Sequence, residues 1–62
     1  MKVCLKKDLE IDNLRLHKHQ EGVVTAITRD VDKHGGQFMY LIDFDTIGKL
    51  EIPQSLVDVL RL

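Results

Sequence analysis

The apolar positions of this chain fall in short runs separated by polar turns, a spacing that suits strands better than helices. Val3-Cys4-Leu5, ended by Lys6-Lys7-Asp8, predicts a brief first strand. Beyond it Leu9, Ile11, Leu14 and Leu16 recur at offsets that sustain neither a strand nor a helix. Two readings compete there. One is an irregular, partly extended loop that drops its leucines into the core. The other is a helical turn over residues 8–16, with Asp8 as N-cap and Leu9, Asn13 and Leu16 on one side. The loop is preferred.

From Glu21 the pattern sharpens. Gly22 to Thr28 is rich in β-branched residues and predicts a strand. Gly35-Gly36 supplies positive-φ positions without steric cost and predicts a hairpin turn. Phe38 to Phe44 is the longest apolar run, with Phe38, Tyr40, Ile42 and Phe44 on one face and Met39 and Leu41 on the other. Apolar residues on both faces imply a central strand, or a face covered by another subunit. After the turn at 45–48, Lys49 to Ile52 predicts a fourth strand with Leu50 and Ile52 inward. Pro53, which has no N–H to donate, stops the ladder. Pro53 to Leu56 then predicts a tight turn of 3₁₀ type, and residues 57–62 a fifth strand. A C-terminal helix capped by Ser55 is the rival for that last segment.

The order of elements resembles the SH3-like barrel, and the resemblance covers nearly the whole chain. It rests on Glu21-Gly22-Val23-Val24, Tyr40-Leu41-Ile42-Asp43-Phe44 and Leu50-Glu51-Ile52-Pro53-Gln54-Ser55-Leu56. It implies an all-β, single-domain fold over residues 1–62: a small five-stranded barrel with a long first loop and a 3₁₀-type turn before the last strand. Small bacterial barrels of this layout include the photosystem accessory subunit and KOW-type modules. One such fold hosts many functions, so the site must decide. The polyproline-binding branch is set aside, because its groove needs several surface aromatics and this chain has no Trp. The plasmid-encoded dihydrofolate reductase is similar in size. Its Val-Gln-Ile-Tyr contact strand corresponds here to Leu50-Glu51-Ile52-Pro53, which lacks the glutamine and the tyrosine, so no catalytic residue is carried over.

Composition narrows the picture. A chain of 62 residues with 44% hydrophobic and 31% charged residues is expected to fold as one domain. A core this small rarely supplies more than about 3–5 kcal/mol and is often supplemented by disulfides, metal or self-association. Cys4 is the only cysteine, so no intrachain disulfide forms. With the short apolar run at the N-terminus, that unpaired thiol points to a cytoplasmic protein without a membrane segment. The net charge of −1 gives no global attraction to nucleic acid. Residues 1–20 are nonetheless mildly basic and residues 21–62 acidic.

Candidate chemistry is sparse. His17 and His19, with His34 and Cys4, are potential metal ligands, but a His-x-His pair alone lacks the paired spacings of a zinc site; no metal and no cofactor is expected. In an extended segment the two rings would point the same way. Cys4 reads as a small core residue. Asp43 and Asp45 share a spacing that suits acid–base pairs, yet a strand end entering a turn explains them.

The leading expectation is therefore a noncatalytic protein-binding or accessory module, acting as a homo-oligomer or docked on a larger partner. Met39, Leu41, Val57 and Val59 are its expected interface. The alternative is a KOW-like RNA-binding module using Lys6, Lys7, Arg15 and Lys18 of the basic 6–19 loop. A second alternative is an enzyme whose site forms only at an oligomer axis.

Overall fold

The computed structural model describes residues 1–30 and 36–60. It is all-β, with strands β1 (Lys2–Leu5), β2 (Leu9–Ile11), β3 (Leu14–Leu16), β4 (Glu21–Asp30), β5 (Gln37–Phe44), β6 (Gly48–Pro53) and β7 (Val57–Val59). A single 3₁₀ turn, Gln54–Leu56, precedes β7, so the helix considered from Ser55 onward does not form. No helix among the described residues is long and apolar enough to cross a membrane.

Five strands form one sheet in the order β6-β5-β4-β1-β7, every described pairing antiparallel, and β2 and β3 form a separate two-stranded sheet. Among the described residues no ladder joins β6 to β7, so the expected closed five-stranded barrel is not what these ladders form: the sheet remains open. One of its faces carries the core. Val3, Leu5 and Val57 come from one end and Tyr40, Ile42, Phe44 and Ile52 from the other. β5 is central, between β4 and β6, as its two apolar faces suggested.

The long first loop differs from expectation. Residues 9–16 are a β-hairpin, in which Leu9 pairs with Leu16 and Ile11 with Leu14. Its two-residue turn is Asp12-Asn13, at φ 50° and 68°. A two-residue hairpin of type I′ needs positive φ at both central positions, which Asp and Asn tolerate better than other non-glycine residues. Leu16 is fully buried and joins the core, while Leu14 is exposed. The segment that follows is tied to β1, since His19 N–H donates to the Leu5 carbonyl (2.9 Å) and Leu5 N–H to the Gln20 carbonyl (3.1 Å).

A β-bulge interrupts the β4–β5 ladder between Val24 and Ala26. Val24 lies opposite Ile42, yet Ala26 lies opposite Leu41, leaving Thr25 unpaired in the ladder. The Thr25 hydroxyl donates to the Leu41 carbonyl at 3.2 Å. An inserted residue inverts the inward–outward alternation beyond it. Ile27, rather than Ala26, thereby shares the core-side face with Val24, opposite Tyr40. Pro53 ends β6, the strand at the sheet's margin, where a residue without an N–H is tolerated.

Candidate functional site

The expected interface residues separate. Met39 is buried at 2% exposure and Val57 at 6%, whereas Leu41 is half-buried and Val59 is 49% exposed. Two of the four are therefore corrected. Met39 lies opposite Pro53, and the 3₁₀ turn packs on β5, so its side of the sheet is covered from within the chain. Val57 lies opposite Leu5 in the core. Conversely Phe38, expected inward, is 50% exposed, because the core stops at Tyr40.

The basic residues are interleaved with acids. Lys6 Nζ is 3.8 Å from Asp58 Oδ1, and the Lys18 backbone N–H donates to Asp8 Oδ1 at 2.6 Å. Arg15 stands opposite Glu10 in the β2–β3 hairpin, and both line a cleft of ≈ 340 Å³ together with Asp8 and His17. Lys7 is exposed. The tie between His19 and Leu5 brings Lys18 to the end of β1 where Lys6 and Lys7 sit, while Arg15 belongs to the hairpin.

His17 and His19 do not occupy an extended segment. The His17 carbonyl accepts from Gln20 N–H (3.0 Å), and His17 N–H donates to Gln20 Oε1 (3.1 Å). His19 takes φ 72° as the third residue of this turn. A turn with a left-handed residue removes the common direction that alternate residues of a strand would have. Among the described residues no three His, Cys, Asp or Glu side chains converge on a metal position; His34 lies outside them. Cys4 is half-buried between the inward-facing Val3 and Leu5, which puts it on the outer face of β1 instead of in the core.

Asp43 and Asp45 line a shallow cleft of ≈ 140 Å³ with Glu21, Lys2 and Gly22. Glu21, read from the sequence only as the opening of a strand, has its Oε1 3.0 Å from Lys2 Nζ. It joins the aspartates because β4 crosses to β5 with Val23 opposite Asp43, a pairing of residues twenty positions apart that no local motif announces.

Two surfaces remain that the sequence did not suggest. Ile27 (53% exposed) and Phe38 (50% exposed) are diagonal neighbours on one face of the β4–β5 hairpin, with the Arg29 guanidinium 5.9 Å from the Phe38 ring centroid. Beside them, β1 pairs with β4 only as far as Val23, and Met1 accepts from Val24 N–H. The outer edge of β4 beyond Val24 has no strand partner among the described residues. The second surface is a groove of ≈ 550 Å³ between the β2–β3 hairpin and the end of β6, floored by Met39, Pro53 and Leu56 and bordered by Glu10, Asp12 and Glu51. No protein-family model, curated protein or solved structure matches the chain.

Proposed function

We propose that the chain is a noncatalytic protein-binding module of SH3-like barrel type that acts as a homo-oligomer, with the outer edge of β4 as its contact. The observation that carries this reading is the pair Ile27 and Phe38, half-exposed side by side next to a strand edge that has no partner among the described residues. An edge with free N–H and C=O groups is a template for another strand, and β-branched Thr25, Ile27 and Thr28 suit that pairing. A second copy placed about a twofold axis would pair β4 with β4 and bring Ile27 and Phe38 of both copies together. The small core makes such added burial valuable. The strand order β6-β5-β4-β1-β7, with a hairpin in the first loop and a 3₁₀ turn before β7, supports the barrel assignment. The single unpaired Cys4 supports a cytoplasmic setting.

Size-exclusion chromatography with multi-angle light scattering at micromolar concentration tests the reading. A dimer or larger assembly is expected, converted to monomer by Ile27→Asp. A wild-type chain that is monomeric at every concentration overturns it.

A further inference from the structure

The groove beside the β2–β3 hairpin has a composition unlike the rest of the surface. Its floor is aliphatic: Met39 is buried, and Pro53 and Leu56 are half-buried. Its borders carry Glu10, Asp12 and Glu51, all exposed, and no lysine or arginine among the described residues lines it. The two side-chain ion pairs among the described residues, Lys2 with Glu21 and Lys6 with Asp58, use none of these carboxylates, although Glu10 stands opposite Arg15 across the hairpin. Like charges facing one cleft repel, and a cation placed between them relieves that repulsion. The volume of ≈ 550 Å³ lies within the range of about 300–1,000 Å³ typical of concave binding sites.

We propose that this groove binds an extended segment of another protein in which arginine or lysine alternates with aliphatic residues. The aliphatic side chains would rest on Pro53 and Leu56, with Met39 buried beneath them, and the cations would reach Glu10, Asp12 and Glu51. Arginine suits these carboxylates best, because its planar guanidinium donates two parallel hydrogen bonds to one carboxylate. Recognition runs through side chains, since Pro53 offers no N–H for strand addition at this end of β6. No aromatic residue lines the groove, so it lacks the stacking surface that polyproline ligands use. Phosphate-bearing ligands are repelled by the same three carboxylates. The inference rests on the reading of the chain as a protein-binding module, but it uses a surface separate from the β4 edge.

The test is a titration of the full ¹⁵N-labelled chain with a synthetic peptide of alternating leucine and arginine, followed by amide shifts. A counterpart with every arginine replaced by glutamate is the control. The expected shifts cluster at Glu10, Asp12, Met39, Glu51 and Leu56, weaken with added salt, and are absent with the glutamate peptide. The triple substitution Glu10→Gln, Asp12→Asn, Glu51→Gln is expected to lower affinity by about tenfold, as three exposed ion pairs would allow, with an unchanged melting temperature. Equal binding of the two peptides, shifts located elsewhere, or full affinity in the triple variant overturns the proposal. An Ile27→Asp chain should still bind the arginine peptide. Binding by a chain that is monomeric throughout therefore rejects only the self-association reading, and an oligomer that ignores the peptide rejects only the groove.

Discussion

Gly22 lies against Ile42, so close that a β-carbon at position 22 would stand 2.5 Å from Ile42 Cγ2. The same carbon would come 3.1 Å from both Phe44 Cδ1 and the Asp43 carbonyl oxygen, so backbone and core side chain crowd it together. Glycine is required here for space.

Gly22→Ala is accordingly expected to destabilise the fold by about 1–3 kcal/mol through overpacking. Strand propensity alone would favour alanine by about 0.5–1 kcal/mol, so the sign separates the two effects. In an Ile42→Ala background the clash with Cγ2 is gone, and the cost of Gly22→Ala should shrink, giving a coupling of about 0.5–3 kcal/mol. Chemical denaturation of the four chains measures it; strict additivity would remove the contact.

The hairpin turn makes a second prediction. Asn13 holds φ 68°, a region that costs most L-residues about 1–2 kcal/mol and glycine almost nothing. Asn13→Gly should keep or raise the denaturation midpoint, and Asn13→Ala should lower it. Identical midpoints for both variants would mean that the turn at Asp12-Asn13 does not have this geometry.

A third concerns nucleic acid. Lys6 sits 3.8 Å from Asp58, and Arg15 stands opposite Glu10, so phosphates approaching either cation meet a carboxylate. A gel shift with mixed RNA and DNA is expected to show no retarded band even at low salt. A salt-sensitive band abolished by joint replacement of Lys6, Lys7, Arg15 and Lys18 would instead establish the nucleic-acid alternative.

Local pattern was sufficient wherever neighbouring residues decide the conformation. A β-branched run marks β4, the longest apolar run marks β5, Pro53 marks the end of β6, and the short segment after it forms a 3₁₀ turn. The Asp12-Asn13 pair was also a legible turn signal, but the mixed spacing of Leu9, Ile11, Leu14 and Leu16 hid it, because the hairpin buries only Leu16 completely. The bulge at Thr25 was not legible, since nothing in a uniform β-branched run specifies where an extra residue is inserted.

The alternation of side chains along each strand follows from the chain itself, because successive residues of a pleated backbone point to opposite sides. Which of those sides is covered depends on partners far away in sequence. Met39 is buried because Pro53 and the 3₁₀ turn lie beside it, and Ile27 and Phe38 are left open because the core ends at Tyr40. The acidic groove likewise exists only once the β2–β3 hairpin brings Glu10 and Asp12 alongside Glu51, some forty residues later in the chain. Pairing between distant strands, not local preference, therefore decides the surfaces on which function would rest.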